Sequence, residues 1–256
     1  MSPIIYGALV ASGAAQVFRY VNHQKVAILA YHGIHAGESD PLGNFDGLHL
    51  HVRRFERQMR YLAKHCRVVP IQRCLDGPSK PHRVVVTFDD AYGSIYKYAF
   101  PILKSLGLPA TVFIPTDFLL GDKLMWWDRL RLAIRYTRAR TVTVSYDHNC
   151  REFRVLSRQE KEASLRQLHA LLSTLSEEER ETTIHGLETR VEVDAAADRA
   201  LYGPVTHPQI WEMAAYGISF QSHGTSHTSF CRMSVEQMWR QATESKARLE
   251  ALLGQG

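Results

Sequence analysis

The chain has 256 residues, 45% of them apolar and 22% charged, a globular composition long enough for one large domain or two small ones. Its net charge is +5, yet the basic residues are scattered among acidic ones, as in "RQEKEASLRQ", and form no dense Lys/Arg block. Such a pattern describes a solvated helix surface and argues against a nucleic-acid partner, while weak attraction to an anionic membrane surface stays open.

The first residues, "MSPIIYGALVASGAAQVF", carry no charge before Arg19 and so lack the basic start of an export signal. The run is also too short and too broken by glycine to span a bilayer. It reads as an amphipathic or core-covering helix over residues 1–25, ahead of a catalytic domain over 26–256. Four cysteines, Cys66, Cys74, Cys150 and Cys231, show no CxxC pair and no framework, which suits a reducing compartment. A cytoplasmic or membrane-peripheral location is the corresponding expectation.

"VAILAYHGI" is the first strand, ending at His32 and Gly33, and the polar "HAGESDPLGNFDGLHLH" after it reads as a loop. "VRRFERQMRYLAKH" has helical periodicity, with Phe55, Met59 and Leu62 on one face. Two strands, "CRVVPI" and "RVVVTFDD", precede the helix "IYKYAFPILKSLG" and a fourth strand, "PATVFIP". Strands alternating with helices, and apolar almost throughout, predict a parallel α/β sheet covered on both faces.

The regularity then breaks over about 121–204, which reads as an insertion: the helix "MWWDRLRLAIRYTRA", the hairpin "RTVTVSYDHNCREFRVL" with "DHN" at its turn, and one long helical stretch from Ser157 to Val191. Ser157 and Glu160 form a capping box at its start. The core resumes with "THPQIWEMAAYG", capped by Thr206, then the strand "ISFQSH" and a final helix, "SVEQMWRQATESKARLEALLG".

Two short motifs carry the chemistry. "VVVTFDDAYGS" ends a buried strand on adjacent carboxylates, Asp89 and Asp90, a costly pair unless a cation or shared proton compensates. "SFQSHGTSHTSF" sets His223 and His227 four residues apart at the end of another strand, a spacing at which two imidazoles can share one divalent metal. A metal held by both and by one carboxylate would leave the other carboxylate ionised as a base. Each motif has an ordinary alternative: an aspartate capping a helix, or a chance spacing among 13 histidines. Their placement at strand ends, where such folds collect their sites, favours the shared metal. The aromatic "MWW" reads as packing rather than sugar contact.

Taken together, "YHGI", "TFDD", "PATVFIP" and "WEMAAYGISFQSHGTSH" resemble the polysaccharide deacetylases of carbohydrate esterase family 4, the NodB-homology domain. The resemblance implies a distorted (β/α) barrel and a metal-dependent hydrolysis of N-acetyl groups on amino-sugar polymers. By position, Asp89 matches the catalytic base, and Asp90, His223 and His227 match the metal ligands, with zinc as the expected ion. His32 is a candidate substrate-binding residue, with a loop histidine bonded to backbone as its alternative.

The family continues past the point where this chain stops, at "ALLGQG", with an arginine that orients the base and a histidine that serves as general acid. The expectation is therefore an incomplete barrel of about five core strands, an unpaired sheet edge and impaired turnover. Nothing in the sequence places His185 or His207 in the cleft as a substitute acid. A binding domain that retains the metal without turnover, a hydrolase of non-sugar amides and a metal-free α/β domain are the other readings. The polymer and the oligomeric state are not legible.

Overall fold

Three consecutive valines, Val84, Val85 and Val86, sit in the middle of a strand whose every residue is buried, and the rest of the sheet is arranged around it. The computed structural model describes residues 25–37, 42–76, 82–120, 124–146, 149–189 and 201–254. The central strand, β5 (Arg83–Phe88), pairs with β1 (Ala27–Tyr31) along one side. Along its other side it pairs first with the two-residue β4 (Arg67–Val68) and then with β6 (Thr111–Ile114), which in turn pairs with β9 (Ser219–Ser222). All of these pairings are parallel, so the carboxyl ends of the strands lie along one rim. The register matches Tyr31 to Phe88 and Ile114 to Ser222, which brings His32, Asp89 and His223 to that rim together.

The sheet is open. Its order is β1-β5-β6-β9, and β1 and β9 are its two edges among the described residues, where an incomplete, distorted barrel with an unpaired edge was expected. A small closed barrel takes roughly eight tilted strands, and the few strands here, one of them two residues long, leave a gap that a ladder cannot bridge. The expected first strand is also divided. After β1 the chain turns at His32, and β2 (Gly33–His35) pairs in parallel with β3 (His49–His51), a strand lying inside the stretch read as loop. "CRVVPI" narrows to β4 and a 3-10 turn over Ile71–Arg73.

Helix α1 (Val52–His65) buries Phe55, Met59 and Leu62, as its periodicity predicts. The helix after β5 begins as a π-helical turn over Ile95–Ala99 and continues as α2 (Phe100–Leu106), which Gly107 ends at φ 64°. A short helix, α3 (Thr116–Leu120), follows β6, and α7 (His207–Ala215) and α8 (Val235–Leu253) flank β9 in sequence. Side chains from the sheet and these helices form one core.

The insertion builds a second core of its own. Helix α4 (Trp126–Tyr136), the hairpin β7 (Thr141–Tyr146) and β8 (Asn149–Arg154), and helices α5 (Arg158–Leu172) and α6 (Glu177–Glu188) enclose Leu130, Ile134, Phe153, Leu165, Leu168 and Ile184. The single long helix expected here is two. Ser176 accepts a hydrogen bond from the Glu179 amide while Glu179 accepts one from the Ser176 amide, a capping box that starts α6 afresh. The box at Ser157 and Glu160 is formed as expected.

All four cysteines are free thiols. No helix among the described residues is long and apolar enough to cross a membrane. The expected helix over 1–25 and the "DH" of the hairpin turn lie outside the described residues.

Candidate active site

At the rim, Asp90 lies 1% exposed with φ 69°, and Ala91 follows at φ 54°. With His227 at φ 57°, these are the non-glycine residues in the left-handed region among the described residues, and two of the three carry candidate ligand side chains. Such a backbone is uphill for these residues and persists because its surroundings impose it. Here the Ala91 carbonyl accepts from the Val205 amide at 2.9 Å, the Gly93 amide donates to Gly203 at 2.7 Å, and Tyr92 bridges to Pro204. The chain that re-enters the core after the insertion therefore braces the turn of "DDAYG".

Asp90, His223 and His227 each present one ligand atom within 4.8 Å of the others. Asp90 Oδ1 stands 2.9 Å from His227 Nε2 and 3.7 Å from His223 Nε2. Neither contact has hydrogen-bond geometry, so this buried carboxylate oxygen has no donor. Two imidazole nitrogens and an orphaned carboxylate oxygen converging in this way fit a borderline-soft divalent cation, for which all three are natural ligands. Burial opposes protonation of His227, but Asp90 and then Asp89 outweigh it and raise its pKa. Burial and the His227 charge lower that of His223, against the pull of the same carboxylates.

Loop contacts fix the two histidines. The His223 amide donates to Ile114 at 2.9 Å, and the Gly224 and Thr225 carbonyls accept from Thr116 and Asp117. From α8, Gln241 Oε1 accepts from the Thr225 amide and hydroxyl and from the Ser226 amide, at 2.7, 2.6 and 3.2 Å. Its Nε2 donates to Ser226 Oγ. One glutamine thus ties the loop that carries His227 to the last helix.

Asp89 occupies a different environment. Its side chain is 24% exposed, its amide donates to the Tyr31 carbonyl, and His32 Nε2 lies 3.8 Å from Oδ2. One carboxylate is buried with the imidazoles and its neighbour is partly exposed beside His32, a division that suits a ligand and a base.

The insertion supplies the facing wall. Trp127 packs edge-on against His227 at 4.9 Å, and its indole N–H donates to Tyr92 Oη, which donates to Asp128. Asp128 pairs with Arg131, and Arg131 donates to the Gly43 carbonyl at 2.6 Å; both residues are fully buried. Burial pushes Asp128 up to about 6, against the opposing pull of Arg131. A cavity of about 440 Å³ opens beside Asp90 and His227, and His32, Trp126, His169 and Arg180 also line it. Neither His185 nor His207 lines it. "MWW" does pack, as expected, and also forms part of the cleft.

All four motif residues and His32 are therefore gathered at one rim. Trp127, Tyr92, Asp128, Arg131 and Gln241 were not singled out from the sequence. Their signals, an aromatic pair, an Asp and Arg three residues apart and a polar residue in an amphipathic helix, are too common to stand alone.

The polysaccharide deacetylase family model matches residues 76–162 and 137–256, together more than half of the chain. YxkH of Bacillus subtilis (strain 168), which bears the name of that family, is 32% identical over 96 residues, covering 35% of this chain and 32% of that protein. The chain thus spans about a third of that relative. Streptococcus pyogenes deacetylase PplD, solved in complex with acetate, superposes with a TM-score of 0.53 at 17% identity, over 90% of this chain and 70% of that one. BA0330 of Bacillus anthracis, assigned to the polysaccharide deacetylases, gives 0.51 at 18% identity, over 91% of this chain and 48% of that one. At such identities the two structures speak to the shared α/β fold.

Proposed function

Because the chain belongs to the polysaccharide deacetylase family, we propose that it hydrolyses N-acetyl groups on amino-sugar polysaccharide or oligosaccharide with one divalent cation, zinc, held by Asp90, His223 and His227. The observation that carries this reading is the convergence of those three ligand atoms next to a second, partly exposed carboxylate.

When bound, the ion would polarise the amide carbonyl and make water more acidic. Asp89, partly exposed, takes a proton from the water that attacks the carbonyl carbon. As the carbon–nitrogen bond breaks, the nitrogen takes up a proton and leaves as a free amine, and the acyl carbon leaves as acetate. Ligand Asp90 stays buried and unavailable to the water, and Trp127 shields His227 from solvent. His32, beside Asp89, is proposed to contact the sugar.

Turnover is proposed to be slow. Among the described residues, the one charged or ionisable partner within ion-pair distance of Asp89 is His32, and no arginine orients the carboxylate. The test is acetate release from N-acetylglucosamine oligomers by this chain and by Asp89→Asn. The expected result is measurable release that falls by about a hundredfold or more in the variant while bound metal persists. Loss of metal together with activity would show that Asp89 is a ligand rather than the base.

A further inference from the structure

The cavity beside Asp90 and His227 is also lined by two arginines, Arg180 from α6 and Arg232 from the 3-10 turn Phe230–Arg232 after the histidine loop. Arg180 lies over the ring of Trp126 at 5.1 Å, and Trp126 is itself stacked on His169 at 5.0 Å and 18°. This aromatic support holds the planar group in place. Arg180 Nε is buried and has no hydrogen-bond partner. Burial disfavours its charge, and so does Arg232; Glu177 and Glu181 act in the opposite direction.

Of the acids nearby, Glu177 is exposed at the start of α6 and makes no ion pair among the described residues, and the others are committed elsewhere. Glu181 is held by Arg129 at 2.6 Å, Asp46 lies 3.7 Å from Arg131, and Asp90 faces the two histidines. Among the described residues no carboxylate pairs with Arg180, and Arg232 spends one donor on the Ser173 carbonyl. Two cations facing one cavity with unused donors repel each other, and a bound anion relieves both defects. A neutral amino sugar offers only hydroxyls and amides to such a fork, whereas a carboxylate or phosphate matches it.

From this geometry we infer that Arg180 and Arg232 form a subsite for an anionic substituent, a carboxylate or a phosphate, carried by the sugar chain next to the acetylated unit. This rests on the deacetylase reading for its substrate and narrows that substrate to acidic glycans. Trp126 and His169, which are aromatic and not charged, set the depth at which the anion meets Arg180.

Calorimetric titration of the purified chain with three N-acetylglucosamine disaccharides tests it: unmodified, carboxylate-bearing and phosphomonoester-bearing, with acetate release followed in parallel. At least one anionic disaccharide should bind about tenfold tighter than the neutral one. The ratio should fall towards one in both Arg180→Gln and Arg232→Gln. Comparing the two anionic ligands distinguishes carboxylate from phosphate. Arg232 is exposed, so its variant reports even where Arg180→Gln does not fold. Equal binding of all three disaccharides, or a preference that survives in Arg232→Gln, overturns the subsite. Acetate release without an anion preference removes the subsite and keeps the deacetylase; an anion preference without acetate does the reverse.

Discussion

The parallel sheet and the helix–hairpin insertion solve the problem of burial differently. Strand β5 is buried along its whole length only because β1, β4 and β6, distant in sequence, come to lie beside it. The insertion closes largely on itself, with α4 packing against α5 and α6, its neighbours along the chain. The sheet collects the candidate ligands, because parallel strands deliver their ends to one rim. The insertion adds a wall and a charge pattern. The candidate ligands thus follow the topology of one region, and part of the cleft wall the surface of the other.

The seam between them offers the sharpest way to break that division. Asp128→Ala would leave Arg131 fully buried without its nearest carboxylate, and a loss of about 3–5 kcal/mol in urea unfolding is expected. A cost below about 1 kcal/mol would mean that Asp46 and the Gly43 carbonyl suffice for Arg131 and that the seam is weakly coupled. Within the insertion, Leu168→Ala empties part of the second core and should cost about 2–5 kcal/mol. If the two cores are as separate as they look, bound metal is retained in that variant; loss of metal would join them.

On the sheet side, a Cβ on Gly33 would fall 1.9 Å from His49 Nδ1, so Gly33→Ala must displace a buried ring. Overpacking of about 1–3 kcal/mol is expected in thermal unfolding, and a neutral substitution would show that His49 moves freely.

The smallest effect per unit of change is in pH. Burial first, then the charges of Arg131, His35 and His32, push His49 down to about 3 from its usual 6.5. The folded state therefore holds it neutral where the unfolded chain protonates it. Its contribution is undiminished above pH 6.5 and is lost as pH falls towards 3, by up to about 1.4 kcal/mol per pH unit. Urea unfolding of the parent and of His49→Asn over that range should show a flatter slope in the variant, and parallel slopes would contradict it.

Much of the site was legible because its ligands sit in two short motifs, each attached to a strand end. The α1 face and the Ser157 box were legible for the same reason, that a local pattern determines them. An incomplete set of about five strands with an unpaired edge was legible from the strand count, but how its two edges lie was not. Whether β1 and β9 meet depends on how many strands intervene, which no single stretch of sequence encodes. β3 was missed because "HLH" is three residues between a polar turn and the start of α1, and its pairing with Gly33–His35 is a tertiary event. The break at Ser176 could have been found, since Ser176 and Glu179 repeat the pattern recognised at Ser157. Arg180 carries no signal in "EEERETT"; only the fold turns it towards the cleft.

The claim on which the rest depends is that Asp90, His223 and His227 share one ion. Elemental analysis of protein purified without chelator and dialysed against zinc tests it most directly. One zinc per chain is expected in the parent, and binding weakened by at least about tenfold to a hundredfold in His223→Ala and His227→Ala with the fold intact. A parent that stays free of zinc, or variants that keep a full equivalent, would contradict it.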